Sequence, residues 1–181
     1  NSVVNSTGCR VGLILVGFDQ SILKNQELSK VCKNSEIFLT TGGHNADGLE
    51  NEKLKLYEID RFLQRNLDKI ESIAITSQFS TRNPDHENRI KEYIRKKAQL
   101  PITCSHDLTF NLNGPKRAIT CVLNASLANI IDRLLLDIEN IILEKDLKSK
   151  LMIVKGDGSL INPITARAKP IDTTMSGPAA S

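Results

Sequence analysis

No apolar run in this chain approaches the roughly 20 residues that a membrane span needs, so no membrane association is expected. The first residues show no charged leader ahead of an apolar stretch, which argues against a signal peptide. The cysteines at 9, 32, 104 and 121 are far apart and form no Cys-x-x-Cys pair. That pattern points to reduced, buried thiols in a cytoplasmic protein. A block of one charge sign is missing too. Lys and Arg are scattered among Asp and Glu, and the formal net charge is only +3, so no nucleic-acid partner is expected. Tryptophan, internal repeats and low-complexity segments are absent. What remains is an ordinary globular composition, 40% hydrophobic and 25% charged. At 181 residues the chain is long enough for one domain with a real core.

Local patterns predict alternating strands and helices. Val11 to Phe18 is apolar with two glycines and reads as a buried strand. Ser21 to Lys33 is ambiguous, with a short helix as the expectation. Ile37 to Leu39 is a second strand, followed by a Gly- and Asn-rich loop from Thr40 to Gly48. Leu56, Ile59, Phe62, Leu63, Leu67 and Ile70 recur at helical spacing. Ser72 to Thr76 is a third strand. Asn83-Pro84 then opens a helix whose inner face is Ile90, Tyr93 and Ile94. The pairs Glu87/Lys91 and Glu92/Lys96 fall on its outer face in this reading. Pro101 to Cys104 is a short strand. Gly114-Pro115 begins the longest element, a helix to about Glu144 that would be roughly 45 Å long. Its apolar stripe, Leu134 included, is expected to be covered along most of that length. The order after Ile73 argues for an α/β sandwich with parallel pairing.

The C-terminal stretch carries the strongest chemical signal. Leu151 to Val154 reads as a buried strand that stops at Gly156-Asp157-Gly158. Gly156 and Gly158 let the backbone bend and approach a ligand closely. Asp157, between them, would be held out into a cleft. Thr173, Thr174 and Ser176 precede Gly177-Pro178, the pattern of a helix start. Ala179 and Ala180 would continue that helix where the sequence stops, as expected of a truncated chain.

Four blocks, in order along the chain, resemble one family. They are Thr7-Gly8-Cys9-Arg10-Val11-Gly12-Leu13-Ile14; Gly42-Gly43-His44 with Asp47-Gly48-Leu49-Glu50; Phe79-Ser80-Thr81-Arg82-Asn83-Pro84-Asp85-His86-Glu87; and the C-terminal stretch with Ala166-Arg167-Ala168-Lys169-Pro170-Ile171 and Ser176-Gly177-Pro178-Ala179-Ala180. These residues are similar to the hydantoinase/oxoprolinase family, in its kinase-like, hydantoinase A type subunit. The resemblance implies the fold of actin, sugar kinases and related ATPases, two ribonuclease-H-like lobes around a nucleotide cleft. Residues 1–181 would form an incomplete first lobe, with a subdomain boundary near 110–115. Members of the family use ATP to open cyclic amides such as hydantoins or 5-oxoproline, or to activate ketones for carboxylation. The resemblance therefore implies ATP and Mg²⁺ as cofactors of the intact protein. It also implies a cyclic amide substrate and a second hydantoinase-type subunit or domain as partner. The family's two Gly-Gly-Thr phosphate loops are not in this sequence. No firm nucleotide binding and no activity are expected of these residues alone, and a non-catalytic α/β assembly module is the rival outside enzymes.

The candidate site residues follow. Asp157 is assigned a catalytic role, positioning Mg²⁺-bound water or accepting a proton; its plain alternative is a turn aspartate. Gly156, Gly158, Ser176 and Gly177 are assigned to cofactor binding, the last two at a helix start whose N–H groups could face phosphate. Some relatives of the fold carry an acidic residue just before the proline. Gly177 stands there here, so that role does not carry over. Gly43, His44 and Asp47 form a weaker candidate for substrate or metal; the alternative is an exposed loop histidine. His86 is expected to be solvated. No spacing brings His44, His86 and His106 together, and no Ser-His-Asp arrangement can be argued.

Overall fold

The computed structural model describes residues 8–174. Four strands, Val11–Val16 (β1), Glu36–Thr40 (β2), Ser72–Ser77 (β3) and Ile102–Cys104 (β4), form one sheet in the order β2-β1-β3-β4. All three pairings are parallel. β1 and β3 are buried at every position, as strands covered on both faces must be. Successive residues point to opposite faces. Ile14 and Val16 join a core with Leu56–Asn66 (α2) and Asp85–Arg95 (α3), through Ile59, Phe62, Leu63, Ile90 and Ile94. Val11, Leu13 and Leu15 join a second core with Gln26–Val31 (α1) and Gly114–Glu144 (α5), through Leu28, Ala118, Cys121, Val122 and Ala125.

The ambiguous 21–33 stretch resolves into a 3₁₀ turn over Gln20–Lys24 followed by α1, each capped by the side chain ahead of it, Asp19 and Asn25. α3 begins one residue later than expected, with Pro84 at its N-cap and the Asn83 side-chain oxygen Oδ1 accepting from the Asp85 N–H at 3.1 Å. A four-residue helix, Ser105–Leu108 (α4), follows β4. α5 starts where the Gly-Pro signal predicts, because Asn113 accepts from the Lys116 N–H at 3.0 Å. Residues 109–113 thus connect α4 to a helix that packs on β1, β3 and β4 of the same sheet.

The expectation that α5 is covered along its length fails. A four-stranded sheet of this kind is roughly 20 Å across, while the helix has 31 residues and so runs roughly 45 Å. Its second half must overhang. Leu134 is 52% exposed and Leu143 76%, whereas Leu135 is 3% exposed. Arg167, from the short helix Pro163–Ala168 (α6), ties down part of the overhang by bonding Asp132 at 2.9 Å and Glu139 at 2.7 Å. Among the described residues α5 is the one helix long and apolar enough to cross a membrane. Its first half is spent on the sheet through Ala118, Cys121, Val122 and Ala125. Leu135→Ala is expected to cost about 2–5 kcal/mol and Leu134→Ala under about 1. Equal shifts in melting temperature would contradict this placement.

The 151–154 run is also corrected. Only Ile153–Val154 (β5) is a strand. It is half-buried and pairs antiparallel with Leu160–Ile161 (β6), forming a separate hairpin rather than a fifth strand of the parallel sheet. A 3₁₀ turn over Pro170–Thr173 follows α6.

Candidate functional site

The chain leaves β1 toward β2 on one side and returns to β3 on the other, so the strand order reverses between β1 and β3. In open parallel sheets a crevice opens at such a point, beyond the C-terminal ends of the strands. Here those ends are joined through the backbone. The Gly17 N–H donates to the Thr40 carbonyl at 3.0 Å, the Gln78 N–H to Val16 at 2.9 Å, and the His44 N–H to Gln78 at 3.2 Å. Gly17, with φ +76°, has no room for a side chain, since a Cβ would lie 2.5 Å from the Gly42 carbonyl oxygen. Phe79 holds φ +51°, a strained conformation for a bulky residue, immediately after Gln78.

Two crevices flank this junction and share Phe18, Asp19 and Gln78. One, of about 540 Å³, is lined also by Phe38, Thr41, Glu58 and Arg61. The other, of about 550 Å³, is lined by Lys24, Asn25, Pro115 and Arg117. Burial pushes the Glu58 carboxyl up, but hydrogen bonds from the Thr40 hydroxyl at 2.6 Å and the Thr41 N–H outweigh it and hold it below the usual range. Ser21 lowers Asp19 in the same way. Both carboxylates are therefore ionised near neutrality.

His44 and His86 correct the sequence reading. Both are buried, and their rings pack at 4.3 Å between centroids. The His86 Nδ1 accepts from the Gly43 N–H at 2.9 Å, and its Nε2 lies 2.8 Å from a Glu50 carboxylate oxygen. A nitrogen that accepts from an amide carries no proton, so neutral His86 is protonated on Nε2 and donates to Glu50. Asp47 does not join them. It is exposed in a turn where its N–H donates to the Asn45 side chain at 3.0 Å. His44 Nδ1 is buried without a partner. Burial, and next the His86 ring, lower the His44 pKa, against a smaller upward pull from Asp85 and Glu50. The unfolded chain takes up a proton near pH 6.5, where folded His44 resists it. Stability should therefore fall as pH drops through that value. Melting curves at pH 7.5 and 5.5 check this: the acid loss should shrink in His44→Gln, and a loss identical in both proteins would rule His44 out as its source.

Glu87 is the second correction. It lies not on the outer face of α3 but at 0% exposure. Its Oε1 accepts from the Ser77 N–H at 2.7 Å and the Ser105 hydroxyl at 2.6 Å. Its Oε2 accepts from the His106 N–H at 3.1 Å and pairs with His106 Nδ1 at 2.5 Å. Arg117, 1% exposed, donates to the carbonyls of Ser77, Asn111 and Leu112. Together they lock the ends of β3 and β4 to the starts of α3 and α5. Glu87, Cys104 and His106 offer ligand atoms within 4.8 Å of one another. The Glu87 oxygens are already saturated, however, and burial pushes the Cys104 thiol far up. Thiol and imidazole donors also do not suit Mg²⁺, which takes oxygen ligands. This cluster is a structural lock.

At the C-terminal stretch, Asp157 sits in the turn of the β5–β6 hairpin, and its side chain is exposed. It accepts from the Ser159 N–H at 2.9 Å and the Ser159 hydroxyl at 2.6 Å, and Lys155 lies 3.3 Å away. Those bonds, Ser159 first, hold its pKa at about 2. Gly158 supplies φ +82° for the turn. Gly156 donates to the Asp172 carbonyl at 3.1 Å, and a Cβ there would lie 2.8 Å from the Thr174 carbonyl oxygen. The hairpin is thus seated on the 170–174 turn. Ser176 and Gly177 lie outside the described residues, as do residues 1–7. Asp157 lines neither crevice.

Comparison with known proteins decides the family. Residues 1–98 match the hydantoinase/oxoprolinase N-terminal region, and residues 117–181 match the hydantoinase/oxoprolinase region. The chain belongs to the hydantoinase/oxoprolinase family. It is 26% identical over 124 residues to the caprolactamase subunit alpha of Pseudomonas jessenii, across 68% of this chain and 17% of that protein. The crystal structure of the ATP-dependent caprolactamase from Pseudomonas jessenii superposes on 99% of the chain with a TM-score of 0.85 at 20% identity, and the match covers 28% of the caprolactamase chain. A nucleotide-free acetone carboxylase structure, from work on ATP-dependent acetone carboxylation, matches 99% of the chain and 29% of its own length. Its TM-score is 0.74 at 18% identity. The fold class is as expected: α/β, an incomplete ribonuclease-H-like lobe of the actin-like ATPase fold, with a parallel sheet. The chain spans under a third of each relative it matches. ATP dependence is a property of these family members.

In this hydantoinase-family chain, the crevice residues Phe18, Asp19, Thr41 and Gln78 escaped sequence reasoning. A local signal was present: Gly17 directly follows one apolar strand, and Gly42-Gly43 come one residue after the end of the next.

Proposed function

We propose that the chain is part of an ATP-dependent cyclic amidohydrolase, opening a lactam, hydantoin or 5-oxoproline ring with a second hydantoinase-type subunit or domain. The observation that carries this reading is the match over 99% of the chain to an ATP-dependent caprolactamase, whose named substrate is a cyclic amide. Ring opening needs ATP to activate the amide oxygen, and Mg²⁺ to neutralise charge on the phosphates. Asp157 is assigned to hold Mg²⁺-bound water. A carboxylate held at about pKa 2 is a poor proton acceptor near neutrality but remains an anion for a hydrated cation. Gly156, Gly158, Ser176 and Gly177 are assigned to the cofactor, the last two to its phosphates. The buried free thiols Cys32, Cys104 and Cys121 suit a reducing, cytoplasmic setting. These 181 residues alone, lacking the Gly-Gly-Thr loops, are expected to release no phosphate from ATP.

Ketone carboxylation is the second reading, favoured by the match to acetone carboxylase. The test is phosphate release from Mg-ATP by the complete protein with its partner. Caprolactam, hydantoin and 5-oxoproline are supplied in one arm, and acetone with bicarbonate in the other. Release stimulated by a cyclic amide is expected. Stimulation by acetone with bicarbonate alone would transfer the chain to the carboxylases.

A further inference from the structure

The crevice of about 540 Å³, between the ends of β1, β2 and β3, holds an unexplained group. Thr41 Oγ1 is buried and has no hydrogen-bond partner, and Thr41 lines this crevice. A buried hydroxyl left unpaired is costly, so native proteins leave few of them unless something else supplies the bond. Beside it on the lining is Gln78, half-buried, whose hydrogen bonds to described residues run through its backbone. Its N–H is tied to Val16, its carbonyl accepts from His44, and the strained Phe79 follows. The backbone of Gln78 is thereby fixed while its carboxamide remains available. Phe18, Phe38 and Leu39 add apolar lining.

We propose that this crevice seats the ring amide of the substrate, with Gln78 and Thr41 as its recognition groups. The inference rests on the cyclic-amide reading above. A small ring forces its amide to be cis, so the N–H and C=O lie side by side on one edge. A glutamine carboxamide carries a carbonyl acceptor and an N–H donor side by side as well. The two edges match as a reciprocal pair of hydrogen bonds. The Thr41 hydroxyl then donates to the second lone pair of the ring carbonyl. The aromatic and leucine lining takes the ring methylenes. Charge on the lining narrows the class further. Asp19, Glu52 and Glu58 face a single guanidinium, Arg61. Three carboxylates against one cation disfavour a ring that bears its own carboxylate. The site therefore takes a neutral lactam or hydantoin in preference to 5-oxoproline.

The test uses the complete protein with its partner. ε-Caprolactam, hydantoin and 5-oxoproline are titrated without ATP by ligand-observed saturation-transfer NMR, and phosphate release is measured in parallel. Wild type is expected to bind the neutral rings at least tenfold more tightly than 5-oxoproline. Gln78→Leu should weaken neutral-ring binding at least tenfold and raise its KM with the KM for ATP unchanged. Thr41→Val should weaken it several-fold while the melting temperature holds or rises, because an unpaired buried hydroxyl is removed. A purely structural threonine would not give that combination, and Thr41→Val serves if Gln78→Leu fails to fold. Ring binding and turnover unchanged in both variants would overturn the site and leave the amidohydrolase reading standing. Ring binding that depends on Gln78, without ring-stimulated phosphate release, would keep the site and sink the reaction. No ring binding by wild type, or tighter binding of 5-oxoproline, would overturn the site as proposed.

Discussion

Replacing Glu87 by alanine is expected to destabilise the protein by about 3–5 kcal/mol. For a domain of this size that lowers the melting temperature by roughly 10 °C. The side chain is fully buried and accepts from Ser77, Ser105 and His106. Its loss leaves the Ser77 and His106 N–H groups without that acceptor. It also removes the carboxylate that opposes the desolvation of Arg117, whose pKa burial lowers and Glu87 raises. A cavity adds to the cost. Glu87→Gln keeps the shape but turns one acceptor into a donor facing donors, so it should fall between alanine and wild type. Glu92→Ala, an exposed glutamate five residues later on α3, is the control and should stay within about 0.5 kcal/mol. Similar losses for Glu87→Ala and Glu92→Ala would mean that the buried network contributes nothing.

The contrast between Glu87 and Glu92 shows where sequence reasoning stopped. The four parallel strands, α2, α3 and both ends of α5 were legible because their signals are local: apolar runs, 3.6-residue spacing, and Asn or Pro at the caps. Glu87 reads as a surface residue because a lone carboxylate is too costly to bury. Its burial depends on donors 10, 18 and 19 residues away in sequence, which no local pattern reveals. Leu134 was misplaced for a different reason. Periodicity gives the apolar face of a helix but not the width of the sheet that covers it. His44 and His86 meet because β2 ends beside the start of α3, a matter of strand order. The crevice at Gln78 and Thr41 depends on the same order, β2-β1-β3-β4. Asp157 was correctly read into a Gly-Asp-Gly turn, yet the strand before it pairs in its own hairpin. The family, by contrast, was visible in residue blocks alone, and matches over 1–98 and 117–181 bear it out.

On the amidohydrolase reading proposed above, Asp157→Asn in the complete protein with its partner is expected to reduce ATP-dependent turnover about a hundredfold, the scale set by removing one well-placed electrostatic group. The melting temperature should stay at the wild-type value, because an exposed turn side chain supports no core. The two effects separate because of where the side chain sits. It is exposed in a hairpin turn, so no core depends on it. Asparagine keeps a carbonyl oxygen to accept from the Ser159 N–H, and the lost pairing with Lys155 is a surface one of little worth. What asparagine cannot supply is negative charge for a hydrated cation. The pH dependence gives a further check. The folded pKa of Asp157, about 2, lies below the unfolded aspartate value near 3.9. Any stability it adds is present above that higher value and lost only as pH falls toward 2. The carboxylate is therefore ionised throughout pH 5 to 9, and the wild-type rate profile should show no limb from this residue. The turnover deficit of Asp157→Asn should be equally large at every pH in that range. A deficit that closes at low pH would mean that Asp157 works as a titrating base, and equal turnover of the two proteins would return it to the rank of a turn residue.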